Sequence, residues 1–133
     1  MREFNLQIAT PDGLVFDGNA ESVLVRTDGG DVEIMAGHAD YFAPVGIGIS
    51  KVKTGGTVKP ASCAGGFIYV SGGEVKLVTT TFEFSEDIDL DRAKLAKERA
   101  EESISSTSDD KIIRIAKAKL ARAINRINAA ELK

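Results

Sequence analysis

The chain has 133 residues, a formal net charge of −3, one histidine and one cysteine, enough for one ordinary domain, or for a body of about 85 residues with a modest core plus an appendage. That charge carries no global polyanion signal and argues against a nucleic-acid partner, and a single cysteine excludes an internal disulfide. No apolar run approaches the ~20 residues that cross a bilayer, so any membrane contact is expected to go through a partner.

The opening stretch "MREFNLQIATPDG" lacks the apolar core of a signal peptide, which makes a cytoplasmic location the expectation. Within it Phe4, Leu6 and Ile8 alternate with Asn5 and Gln7 in the manner of a strand, and Thr10-Pro11-Asp12-Gly13 reads as a turn. Val23 and Val25 alternate with Ser22, Leu24 and Arg26 before a second turn, Asp28-Gly29-Gly30-Asp31. Ile47, Ile49 and Lys51-Val52-Lys53 lead into the hairpin signal Thr54-Gly55-Gly56-Thr57. A short strand carries Cys63, Gly65-Gly66 reads as a turn, and Phe67 to Val70 is a further strand. Ser71-Gly72-Gly73 then turns into Val75 to Val78. All thirteen glycines and all three prolines lie between Pro11 and Gly73. Many short strands at close spacing predict an N-terminal antiparallel β-sandwich or flattened barrel over residues 1–84.

After Gly73 the breakers stop, and residues 85–133 read as a C-terminal antiparallel two-helix hairpin. The first helix is expected from about Asp89 to Ile104, with Leu90, Ala93, Ala96 or Lys97, Ala100 and Ile104 on its apolar stripe and Asp87 or Asp89 as cap. "SSTSDD" breaks it, and Ser108 or Asp109 caps a second helix from about Lys111 to Glu131 with the stripe Ile113, Ala116, Leu120, Ala123, Ile124 and Ile127. Residues 85–110 hold nine acids and four bases, and residues 111–133 hold seven bases and one acid. The helices should attract each other, and apart from its mate the second would be a basic amphipathic helix seeking an acidic surface. A turn near residue 107 sets Asp89 opposite Arg126, and Arg92 with Ala93 opposite Arg122, with Arg99 about 10 Å along from Arg92. Four guanidiniums so placed suit a phosphate chain, small Ala93 leaves room for a flat base, and Asp89 can accept from an exocyclic amine. The same spacing also fits an interhelical salt-bridge ladder on a solvated face.

Other chemistry is thin. His38 has Asp40 nearby but no nucleophile motif. Cys63 reads as a buried small hydrophobe. The glycine pairs lack the lysine-serine and opening helix of a phosphate loop. One histidine and one cysteine cannot anchor a zinc site. Catalysis within this chain is unsupported, and no cofactor is required.

The segments "TPDG", "GDVEIMAGHADYFAPV", "AGGFIYV" and "EDIDLDRAKLAKERAE", in this order along the whole chain, resemble the epsilon subunit of bacterial F-type ATP synthases. The resemblance implies a non-catalytic central-stalk subunit, peripheral on the cytoplasmic face of the bacterial membrane. Its sandwich would bind the gamma subunit and the c-ring. Its hairpin would extend towards the alpha and beta subunits of the catalytic head to inhibit ATP hydrolysis, and bind ATP as a regulatory ligand when folded. The Ile-Asp-x-x-Arg-Ala run of such ATP sites is matched by Ile88, Asp89, Arg92 and Ala93, and further positions by Glu83, Arg99, Arg122 and Arg126. The turn Gly29, Gly30, Asp31, Val32 and Glu33 looks like the c-ring loop, and His38 like part of the gamma-facing surface. Ala36 stands where the family has proline before Gly37-His38, and a glycine usual between Glu33 and Ile34 is missing. The alternative is a free-standing ATP-sensing module that reports to another partner.

Overall fold

A computed structural model describes residues 2–132 as eight strands followed by two helices. The strands are β1 (Phe4–Thr10), β2 (Gly13–Ala20), β3 (Ser22–Thr27), β4 (Gly30–Met35), β5 (Tyr41–Val45), β6 (Gly48–Thr54), β7 (Thr57–Ser71) and β8 (Glu74–Phe84). They pair in the order β2-β1-β8-β7-β6-β3-β4, with β5 on β7, and the ends of this path do not join. The result is an open β-sandwich rather than a closed barrel. Alternation decides its inside. Phe4, Leu6 and Ile8 from β1, Val23 and Val25 from β3, and Ile68 and Val70 from β7 point inward to one core.

Two details depart from expectation. β1 and β8 pair in parallel, Leu6 opposite Val75 and Ile8 opposite Leu77, among otherwise antiparallel neighbours. These strands come from opposite ends of the sandwich sequence, so no tight turn dictates their direction. Gly65-Gly66 is not a turn between strands either. It lies inside the 15-residue β7, where the ladder to β8 skips Gly65 and Thr80. On one side of this kink β7 pairs with β6, and on the other with β5. A Cβ on Gly66 would fall 2.0 Å from the Val78 carbonyl oxygen, and its φ is +126°, so only glycine lets the two backbones meet there. Gly55-Gly56, by contrast, does close the β6–β7 hairpin, both at positive φ as a mirror-image turn requires.

A 3-10 turn at Ser85–Asp87 leads to α1 (Leu90–Ser105) and α2 (Asp110–Ala130). Both cap expectations resolve to aspartate. Asp89 Oδ1 accepts from the Arg92 amide at 3.1 Å, and Asp109 Oδ1 accepts from the Lys111 and Ile112 amides at 2.9 and 3.4 Å. The helices meet through alanine: Ala93, Ala100, Ala116 and Ala123 are buried. Ile124, expected on the stripe of α2, is exposed, and Asn125 is buried in its place. α2 packs on β6 and β7, while α1 packs on α2. Ile88, Ala129 and Ala130 form a second small cluster with Ile49 and Leu90, apart from the main core.

Candidate functional site

The space between the hairpin and the sandwich is a cleft of about 540 Å³, within the range of small-molecule sites. Ser62, Ala64, Thr81 and Glu83 form its sandwich wall. Ala96, Arg99, Ala100 and Ser103 come from α1, and Ile112 to Arg126 of α2 supply the remainder, Lys119 and Arg122 included. Four cations, Arg99, Lys119, Arg122 and Arg126, therefore share the cleft with one carboxylate, Glu83. Alanines let so many long side chains converge without filling the space.

Arg126 and Glu83 are tied to each other. Arg126 Nε stands 2.7 Å from Glu83 Oε1, a close contact in which the N–H is not aimed along the line to the oxygen, and Nη2 donates to Oε2 at 3.3 Å. The carboxylate that Arg126 pairs with is thus Glu83 on the sheet, and among the described residues Asp89 makes no ion pair with it. The expected interhelical ladder is also missing: among the described residues no ion pair joins α1 to α2. Opposite net charges do not need direct pairs, and exposed ion pairs add little to offset side-chain ordering.

The eight residues expected to bind a nucleotide divide into two sets. Glu83, Arg99, Arg122 and Arg126 line the cleft. Ile88, Asp89, Arg92 and Ala93 do not, and they build the hairpin instead. Ile88 packs on Ala129 and Ala130, which joins the start of α1 to the end of α2. Asp89 caps α1 through the Arg92 amide. Ala93 is 0% exposed at the helix seam, so it offers no open floor for a base. The side chains of Asp89 and Arg92 remain exposed at the end of the hairpin nearest Arg126.

Two family models match the chain end to end. The ATP synthase, Delta/Epsilon chain, beta-sandwich domain covers residues 3–85, and the ATP synthase, Delta/Epsilon chain, long alpha-helix domain covers residues 86–131. The chain belongs to the ATP synthase epsilon chain family. It is 40% identical over 130 residues to the ATP synthase epsilon chain of Bacillus velezensis, covering 98% of each chain. With that of Staphylococcus aureus it shares 37% over 134 residues, covering 100% of each. The fold is also similar to a chain in the Euglena gracilis mitochondrial ATP synthase, OSCP/F1/c-ring structure, with a TM-score of 0.78 at 23% identity, covering 98% of this chain and 82% of that one. A chain in the central stalk/c-ring structure of the Tetrahymena thermophila mitochondrial ATP synthase gives a TM-score of 0.66 at 12% identity, covering 97% of each chain.

In this epsilon-family chain the two stretches expected to meet partners lie at opposite ends of the β3–β4 hairpin. Gly29 to Glu33 surround its tip, where Thr27 Oγ1 donates to the Gly30 carbonyl at 2.8 Å and Arg26 pairs with Asp31 at 3.4 Å. His38 lies past the other end, roughly 20 Å away by strand length. Its Nδ1 is 2.7 Å from the Ala39 carbonyl oxygen, and its ring meets Tyr41 edge-on at 5.5 Å. Two features escaped the sequence reading. One is an outward aromatic group near His38, in which Phe42 faces Phe67 at 5.3 Å and Tyr69 at 6.5 Å, all three exposed. The signal was present in "FIYV", where Phe67 and Tyr69 must point away from buried Ile68 and Val70. The other is Asn125, a polar residue four before buried Ala129 on the helical period. Cys63 is buried as expected, and burial pushes its thiol up to about 12, partly countered by a hydrogen bond with Ser50.

Proposed function

We propose that the chain is the non-catalytic regulatory and coupling subunit of a rotary F-type ATP synthase, and that its folded hairpin binds ATP. The observation that carries the ligand is the cleft with four cations and one carboxylate, itself already paired. Arg99, Lys119, Arg122 and Arg126 suit a triphosphate, the arginines through their planar forks. Antiparallel packing sets the Arg126 end of the cleft beside the start of α1. The base lies there, with Asp89 accepting from its exocyclic amine and Arg92 beside it. Ile88 and Ala93 act one layer back by holding the two helices in register.

The sandwich meets the gamma subunit through the surface around His38 and its exposed aromatic neighbours, and the c-ring through the Gly29–Glu33 turn. The distance between the two surfaces supports separate partners. Extended, the hairpin presents its basic second helix to acidic segments of the alpha and beta subunits and brakes ATP hydrolysis. Attachment to the cytoplasmic face of the membrane is then peripheral, through these partners. ATP that binds only the folded hairpin stabilises it by RT ln(1 + [ATP]/Kd), about 2.7 kcal/mol at a hundredfold excess over Kd.

Calorimetry on the full chain with ATP, ADP and GTP tests the site. Saturable ATP binding is expected, weakened about tenfold or more in Arg126→Ala, with Asp89→Ala narrowing the preference for ATP over GTP. Absence of saturable binding at millimolar nucleotide would overturn the reading.

A further inference from the structure

We infer that Asn125 sets where the hairpin docks on the sandwich, and that by doing so it assembles the cationic cleft. The inference deepens the nucleotide reading above and rests on it for the ligand, but the docking role has its own readout.

Asn125 is 9% exposed on the face of α2 that covers β6 and β7. Its single amide nitrogen reaches three acceptors: the Gly48 carbonyl at 2.8 Å, Ser62 Oγ at 3.0 Å and the Cys63 carbonyl at 3.5 Å. Gly48 and Cys63 are register partners on β6 and β7. The amide therefore sits over one rung of the ladder. Sliding α2 by one residue moves the side chain about 1.5 Å and turns it about 100°, which removes all three contacts. An apolar contact of alanines tolerates such a slide, whereas a buried amide does not, because the side-chain N–H groups of Asn125 would lose their acceptors while still covered by the sheet. Asn125 thus supplies the register that the small-residue surface of α2 lacks.

The same rung belongs to the cleft. Ser62, which accepts from Asn125, forms part of its sandwich wall. Arg126 follows Asn125 directly and reaches Glu83 on β8, and Arg122 lies one turn back. When Asn125 is seated, both arginines face the sandwich wall. When the hairpin lifts, water replaces every one of the amide's partners, so the contact selects a docked position without making it permanent. A larger apolar residue would hold by area alone, with no polar group to mark one rung of the ladder. Asn125 is a positioning residue, and it acts on the ligand through Arg122, Arg126 and Ser62.

The test combines hydrogen exchange by mass spectrometry with ATP calorimetry on the full chain, for the wild type, Asn125→Ala, Asn125→Asp and Ser62→Ala. In Asn125→Ala, residues 90–130 should exchange about tenfold faster while strand amides within 4–84 keep their wild-type rates, and ATP should bind about tenfold more weakly. Asn125→Asp should do more, because a carboxylate then faces two carbonyl oxygens. Ser62→Ala should do less, and should add little in an Asn125→Ala background, since the two share a bond. Saturating ATP should restore protection in Asn125→Ala. If hairpin exchange stays within about twofold of wild type in both Asn125 variants, or if strands and helices speed up together, the positioning role is refuted. If either Asn125 variant does not fold, the Ser62→Ala exchange pattern decides: faster exchange confined to the hairpin supports the role, and unchanged or global exchange refutes it. Failure of the wild type to bind ATP, with hairpin-confined exchange still raised in Asn125→Ala, sinks the nucleotide reading and keeps the docking role. Wild-type ATP binding with no change in either variant does the reverse.

Discussion

Replacing Gly66 with alanine is the sharpest perturbation the fold offers. The new Cβ would lie 2.0 Å from the Val78 carbonyl oxygen and 2.7 Å from the Thr79 Cα. Both are backbone atoms on a neighbouring strand, so no side chain can swing aside. Relief requires β7 and β8 to part by about 1 Å where Gly66 pairs with Thr79, which costs about 1–3 kcal/mol by overpacking. The residue would also sit at φ +126°, a strain of about 1–3 kcal/mol for a side-chain-bearing residue. Together these give about 4 kcal/mol, or a fall in Tm of about 15 °C for a chain this size. Circular-dichroism melting reads the change. Gly18→Ala is the control, because its Cβ comes no closer than 3.9 Å to the Phe16 ring, and it should melt at or slightly above the wild type. A Gly66→Ala protein melting within about 3 °C of wild type would refute the argument that backbone contact dictates glycine there.

Residues 1–84 alone should give a β-type circular-dichroism spectrum and melt cooperatively, because every buried member of the main core falls between Phe4 and Phe82; an unfolded fragment would sink the two-part reading. Neutralising Lys111, Arg114, Lys117, Lys119, Arg122 and Arg126 to alanine should relieve inhibition of ATP hydrolysis in the assembled complex, and high salt should mimic this in part; undiminished inhibition counts against an electrostatic brake. Cys63 should resist thiol reagents at pH 8 unless denaturant is present, since its thiol is buried and shifted from 9.0 to about 12. The folded state therefore holds a proton that the unfolded state loses above pH 9, so stability should fall as pH rises from 9 towards 12, by about 1 kcal/mol at pH 10. Cys63→Ser should flatten that part of the pH–stability curve, and an unchanged slope would assign it to other groups.

Local chemistry made much of this protein legible from sequence. The glycine pairs at 55–56 and 72–73, the alternation in β1 and β3, the alanine seam, and the caps to within two candidates each were readable, because each acts within a few residues. The membership of the cleft was half legible. Arg122 and Arg126 are a turn apart on one helix, and that spacing survives any docking. Their partner did not follow from helix geometry, because Glu83 lies 43 residues before Arg126 on another element. The kink at Gly65-Gly66 looked like a turn because two glycines in sequence do not say whether the chain reverses or two backbones touch. Asn125 was invisible for the same reason: its acceptors lie 62 to 77 residues away. Sequence by itself determined most of the strands, both helices and the break between sandwich and hairpin, and narrowed each cap to two candidates, since these are set by short-range sterics and hydrogen bonds; β2, β4 and β5 emerged only with their partners in the sheet. Only the tertiary structure decided which face of α2 meets the sheet, because that depends on side chains from three strands and a helix satisfying one another at once.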